Sequence, residues 1–202
     1  MKDISALYDK ALEDFKSQRS ARVRRQVKNV LGLINLASTE KILEIGSATG
    51  KYTSIASKKN DVFCLDISLN NLKRAIKTVS ELGNIKNLSC LNADVSNIPF
   101  AAAVFDKILA IDIVEHLKDE KFYLLCQEAH RVLKKGGALY IYTPNLLHPY
   151  ELTRPFRPVL RKEHIGVRTK SALCKTLKEN NFEIKMAYFN NFYRRISIAA
   201  VK

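Results

Sequence analysis

Apolar positions along this chain change their spacing once, near residue 38. Before that point Val23, Val27, Val30, Leu31 and Ile34 fall at helical intervals on one stripe, and the arginines among residues 19–34 lie largely off it. Beyond it come short, β-compatible apolar runs: KILEIG (41–46), DVFCLD (61–66), NLSCLNA (87–93), VFDKILAI (104–111) and GALYIYT (137–143). Helical stretches lie between most of them. SLNNLKRAIKTVSELG (68–83) ends on Gly83, a residue suited to the position just past a helix. LKDEKFYLLCQEAHRVLKKGG (117–137) ends on two lysines and a glycine pair, favourable at a helix C-terminus. Residues 144–168 break the rhythm, because Pro144, Pro149, Pro155 and Pro158 argue against one continuous helix; an irregular insert is expected there. A helix over about 169–180 and two strands, FEIKMAYF and RRISIAAVK, are expected to follow.

Strands alternating with helices predict an α/β fold with a mostly parallel sheet covered on both faces. In such sheets ligands bind beyond the carboxyl ends of the strands, where the strand order reverses. These strands place their polar residues at that face. Asp106 differs: at the start of its strand it reads as a structural turn residue.

Composition adds bounds. A chain of 202 residues can bury a core as one domain, and 47% apolar with 27% charged residues describes an ordinary soluble protein. No stretch approaches the ~18 apolar residues of a membrane span. MKDISALYDKALEDF lacks the apolar core of a signal peptide, so a cytoplasmic location and no transmembrane segment are expected. Cys64, Cys90, Cys126 and Cys174 form no CxxC and read as reduced, packed thiols. The net charge of +14 favours polyanions, anionic membrane surfaces or acidic small molecules. It is concentrated in residues 16–28, which hold six basic residues and no acid, and in residues 154–170, which hold six against Glu163.

The candidate chemistry begins at ILEIGSATG. Gly46 and Gly50 bracket a tight turn between strand and helix, but Glu44 stands two residues before Gly46, where a carboxylate suits a cationic ligand better than a diphosphate. CLDIS places Asp66 where an acid can accept both hydroxyls of an adenosine ribose. LNADVSNIPF brings Asp94 to the same face, within reach of an exocyclic amine. Three acids ending three successive strands fit an adenosine ligand that carries an ammonium group and no phosphate.

From about residue 38 onward, the sequence resembles the class I S-adenosylmethionine-dependent methyltransferases, of the type 11 and ubiquinone-pathway kind. EIGSATG resembles their glycine loop, LDIS their ribose acid, NADVSNIPF their adenine segment, FDKILAIDIVEHL their fourth-strand motif, and EAHRVLKKGGALYIYTPN the signature before the fifth strand. The resemblance implies a Rossmann-like, doubly wound, seven-stranded sheet with an antiparallel last strand, and S-adenosylmethionine as cofactor. It divides the chain into a basic helical segment (1–37) and a methyltransferase domain (38–202) whose insert at about 144–168 lids an acceptor pocket. It assigns Gly46, Ser47, Ala48 and Gly50 to the floor under the methionine part, Glu44 to the ammonium, Asp66 and Ile67 to the ribose side, Asp94 and Val95 to the adenine, and the Ile111 carbonyl region to the sulfonium end. One departure is Ala48, which stands where the family has its middle glycine; a methyl is tolerable there if φ stays negative. The bland role for Asp66 and Asp94 is to cap the element that follows.

IDIVEHL (111–117) then has three readings. His116 is a general base; or Asp112, Glu115, His116 and His164 hold a divalent metal, as the resemblance to small-RNA 2′-O-methyltransferases implies; or Glu115 and His116 only cap the next helix, the favoured reading. His148, Tyr150 and His164 are candidate acceptor contacts in the insert, and His130 reads as a surface residue. The expected acceptor is a small molecule or lipid-linked metabolite, O-methylated while docked under residues 144–168, with residues 19–34 resting peripherally on an anionic membrane. RNA bound along the basic segments, with metal-assisted ribose methylation, is the alternative. A non-catalytic cofactor-binding subunit is the third.

Overall fold

The computed structural model describes residues 29–30, 32–34, 39–48, 50–57, 60–81, 87–153 and 164–202. The basic run at 16–28, Gly83, and Arg154, Arg157 and Arg161 lie outside the described residues. The elements are β1 (Lys41–Ile45), α1 (Lys51–Ala56), β2 (Asp61–Asp66), α2 (Leu69–Glu81), β3 (Asn87–Asn92), β4 (Phe105–Ile111), a 3-10 turn (Val114–His116), α3 (Asp119–Val132), β5 (Leu133–Pro144), α4 (Pro149–Leu152), α5 (Lys170–Glu179), β6 (Glu183–Asn190) and β7 (Arg195–Val201). The seven strands form one sheet in the order β3-β2-β1-β4-β5-β7-β6. All neighbours are parallel except β7, which runs antiparallel to both β5 and β6. The expected Rossmann-like sheet is therefore present, and the order reverses between β1 and β4.

Alternation along the strands builds two cores. Leu43, Ile45, Ile108, Ala110, Leu139 and Ile141 face one side, covered by Phe122, Leu125, Ala129 and Val132 of α3 and by Leu173 and Leu177 of α5. Ile42, Leu109, Ile111, Tyr140 and Tyr142 face the other, against Tyr52, Ile55 and Leu72. Val30, Leu33 and Ile34 are buried in this second core, so the described end of the first helical segment packs on the sheet.

One boundary departs from the sequence reading. The helix expected to reach residue 137 stops at Val132, and Leu133 is already extended, paired with Phe105. The register then slips: Lys107 pairs with Ala138, so the lysines and glycines bulge out of β5 instead of capping a helix. Gly136 takes φ +77° in that bulge, and Lys134 Nζ reaches Asp106 Oδ1 at 2.6 Å. Asp106 also accepts from Lys41 N at 2.9 Å, so it braces β1 against β4 instead of making a turn. His130 is half-buried, its ring edge-on to Phe182 at 5.3 Å, and is not a simple surface residue.

Candidate functional site

The glycine loop leaves β1 at the point where the strand order reverses. Gly46 adopts φ +72° and donates to Leu65 O at 2.7 Å; a Cβ there would lie 2.9 Å from the Ile113 side chain. Gly50, at φ +71°, starts α1 so close to α2 that a Cβ would lie 2.7 Å from Ala75 Cα. Both positions therefore require glycine by backbone and by space. Ala48 does not keep a negative φ: it sits at +45°, left-handed, and its N–H donates to Asp66 Oδ2 at 3.1 Å. The turn needs that N–H turned toward β2, and the alanine bears the strain.

Glu44 is buried beside α1, where the Thr53 hydroxyl donates to its Oε2. Burial pushes its carboxyl up to about 7. Asp66 is 6% exposed and its oxygens are crowded with donors: Ser68 N at 2.8 Å, Ala48 N at 3.1 Å, and the Asn71 amide at 3.2 and 3.3 Å. It thus ties the glycine loop to the start of α2. Asp94 accepts from Ser96 N and Oγ at 2.9 and 2.7 Å and from Lys121 Nζ at 2.6 Å. Burial acts to raise Asp94, but the Lys121 and Ser96 hydrogen bonds outweigh it and hold the carboxyl below its usual range. Val95 is buried in the first core, whereas Ile67 is 70% exposed.

The polar residues after β4 do not cap α3. That helix starts after Lys118 with no side-chain cap. Asp112 takes φ +54° and pairs with Arg195 at the start of β7, at 2.5 Å. Glu115 is buried, accepts from Thr143 Oγ1 at 2.9 Å, and lies 3.9 Å from the same guanidinium. Burial, then the Asp112 charge, push Glu115 up to about 8. Burial alone would lower Arg195, but Asp112 and Glu115 raise it, so the guanidinium stays charged. Ligating atoms of Glu115, His116 and His164 come within 4.8 Å of one another, and the two imidazoles meet edge to face at 5.1 Å. Asp112 has left that group for Arg195. A residue not foreseen, Glu151, enters: its Oε2 is buried without a hydrogen-bond partner, 4.0 Å from His164 Nδ1. His148 is a cap, its Nδ1 accepting from Tyr150 N at 3.1 Å at the start of α4, and Tyr150 stacks under Arg194 at 4.3 Å. A cavity of about 540 Å³ opens between Ile67, Lys121 and Leu124 on one side and Ile113, His116 and Ile165 on the other.

Comparison with known proteins decides the family. Residues 43–141 match the profile described as a methyltransferase domain. That stretch belongs to the methyltransferase domain family. Among curated relatives, the C-methyltransferase UbiE of ubiquinone/menaquinone biosynthesis from Wigglesworthia glossinidia brevipalpis is 29% identical over 145 residues, covering 69% of this chain and 54% of that protein. An O-methyltransferase of Pyrenophora dematioidea is 30% identical over 119 residues, covering 58% and 44%. The chain thus spans about half the length of the curated relatives it matches. A solved SAM-dependent methyltransferase from Aquifex aeolicus shares the fold, with a TM-score of 0.68 at 18% identity over 86% of this chain and 87% of that one.

The methyltransferase domain brings S-adenosylmethionine as the cofactor of its family. The residues fit such a group. Ser47 Oγ in the glycine loop and the Tyr52 hydroxyl on α1 are buried with no hydrogen-bond partner, near Glu44, whose carboxyl burial raises to about 7. Two buried hydroxyls without partners at one strand switch are costly unless a polar ligand satisfies them. Tyr52 lies among Asp112, Tyr142, Glu44 and Arg195, and burial, followed by the Asp112 charge, raises its phenol well above the ordinary value. Tyr52, Lys121, Glu151 and Arg195 escaped the sequence reading. Only the position of Tyr52, just inside the helix after the glycine loop, carried any signal.

Proposed function

We propose that the protein transfers a methyl group from S-adenosylmethionine to the hydroxyl of a small-molecule or lipid-linked acceptor. The observation that carries this reading is the cavity running from Ile67, a residue assigned to the cofactor, to His116. Its lining is largely apolar, with Ile113, Leu117, Leu124 and Ile165, as suits an apolar acceptor beside an adenosine. The cofactor, when bound, supplies an electrophilic methyl on a sulfonium. Gly46 and Gly50 let the backbone close beneath it, while Asp66 and Asp94 offer carboxylates to ribose and adenine in exchange for the Asn71 and Lys121 donors they hold now. In this reading His116 takes the acceptor hydroxyl proton; the edge-to-face contact with His164, itself 4.0 Å from Glu151, supports its orientation. Arg195 holds Asp112 in place at the end of β4. Relatives of both C- and O-methyltransferase name match the chain, so the O-acceptor rests on the histidine pair and not on the relatives.

A second reading has its own observation. The approach of Glu115, His116 and His164 suits a divalent cation that polarises a vicinal diol, as at an RNA terminus. The experiment is incubation of the full chain with methyl-labelled cofactor and a cell extract split into lipid, small-molecule and RNA fractions, with and without chelator. Label in lipid or metabolites that survives chelation is the expected result. Label in RNA lost on chelation would replace the first reading with the second, and label only after adding a protein fraction would make the chain a subunit.

A further inference from the structure

The end of the sheet that carries the site is edged by apolar side chains that no core explains. Leu147 and Leu152, in the segment after β5, are 62% and 55% exposed. Phe192 and Tyr193, at the turn between β6 and β7, are 89% and 66% exposed. These two stretches are clamped side by side. Asn145 donates from its amide nitrogen to Tyr193 O at 2.9 Å and from its backbone to Arg194 O at 3.0 Å, and Arg194 stacks on Tyr150. We propose that this edge docks the protein peripherally on an anionic lipid bilayer.

The backbone argues that the exposure is built in. Asn191, Phe192 and Tyr193 take φ of +52°, +54° and +62° in succession. Left-handed backbone is costly for bulky residues, and a turn of asparagine and glycine would form there without strain. The chain nevertheless holds Phe192 outward at that turn, with the Tyr193 ring beside it resting 5.1 Å from that of Phe189 and still two-thirds exposed.

Charge selects the occupant. Among residues 144–153 and 190–195 the single acid is Glu151, and it is buried, so the edge shows no exposed carboxylate. Arg194 lies within it, on a chain whose net charge is +14. Apolar tips beside cations match the interface of an anionic bilayer, where aromatic rings sit at headgroup level. A second copy would bring +14 against +14, and a nucleic acid would leave the aliphatic Leu147 and Leu152 without a stacking role. The docking surface stands whether the acceptor is lipid-linked or free.

The test is co-sedimentation of the full chain with phosphatidylcholine vesicles, with and without phosphatidylserine, for wild type, the double variant Phe192→Asn/Tyr193→Gly, and Met186→Ser as a control on an exposed apolar residue of β6. The double variant suits the turn, so its melting temperature holds or rises while its affinity for anionic vesicles falls by about tenfold or more. Met186→Ser leaves vesicle affinity unchanged. Cofactor affinity, measured in the same samples without lipid, reports separately on the methyltransferase reading. The proposal is overturned if wild type ignores anionic vesicles, if the double variant binds them equally well, or if the variant loses affinity for single-stranded RNA while vesicles never bind.

Discussion

Gly50→Ala and Gly136→Ala form a matched pair, because the two glycines share nearly the same backbone, φ +71° and +77°, and differ in surroundings. A Cβ at Gly136 meets nothing within 4 Å, so its substitution costs only the left-handed penalty, roughly 1–2 kcal/mol, partly offset by a stiffer unfolded chain. A Cβ at Gly50 falls 2.7 Å from Ala75 Cα and 2.9 Å from Ala75 O, which are backbone atoms of α2 and cannot swing aside. Separating α1 from α2 adds an overpacking cost of about 1–3 kcal/mol. For a chain of this size each kcal/mol lowers Tm by about 2–4 °C, so Gly50→Ala is expected to melt about 2–12 °C below Gly136→Ala. Thermal denaturation followed by circular dichroism reads the difference, and calorimetric titration of S-adenosylmethionine should show weaker binding for Gly50→Ala alone, since α1 carries the glycine loop. Equal melting temperatures would refute the close approach of the two helices as a constraint.

Other expectations follow from the buried charges. Glu44 and Glu115 have folded pKa values raised to about 7 and about 8, so the folded state binds protons that the unfolded chain releases above ~4.5; their stability contribution is full below that pH and declines as pH rises through 7–8. Glu115→Gln, which keeps an acceptor for Thr143, should therefore flatten the fall in urea-unfolding free energy between pH ~5 and ~9, and an unchanged slope would sink that assignment. Ala48→Gly should raise stability by up to about 1 kcal/mol by relieving a positive φ, read as a higher Tm; a lower Tm would contradict the geometry. Arg195→Met leaves Asp112 and Glu115 without their cation and should destabilise by about 3–5 kcal/mol in urea, whereas a loss below about 1 kcal/mol would show that Asp112 turns to solvent instead. Asp66→Ala should abolish cofactor binding in titration calorimetry, and retained affinity would remove the ribose role.

What the sequence made legible depended on spacing. β1, β2, β4 and the loop at Gly46 and Gly50 were readable because strand alternation and positive-φ glycines leave local marks. The end of α3 was not, because Leu133, Lys134 and Lys135 suit a helix terminus as well as a bulge, and only pairing of Leu133 with Phe105 decides. Asp112, Glu115, His116 and His164 were weighed as one group; the last three lie close together, and Asp112 pairs with Arg195 instead. The partner of Asp112 was not foreseen, since Arg195 lies 83 residues away and nothing local to either residue announces the pair. Likewise the present donors to Asp94 and Glu44, Lys121 and Thr53, sit on helices whose orientation only packing fixes.

The antiparallel run of β7 has a consequence for the order in which the molecule is assembled. Parallel strands contribute to the site with their last residues, but β7 contributes Arg195 with its first. On a ribosome the glycine loop, Asp66 and Asp94 can all take shape from β1 to β4 while the segment bearing Arg195 is still unmade. Until it arrives, Asp112 and Glu115 are two acids at one strand end with no counter-ion, and that end has reason to stay hydrated and open. The segment from β1 to β4 can therefore mature first during synthesis, and the end of β4 closes only when β7 slides between β5 and β6.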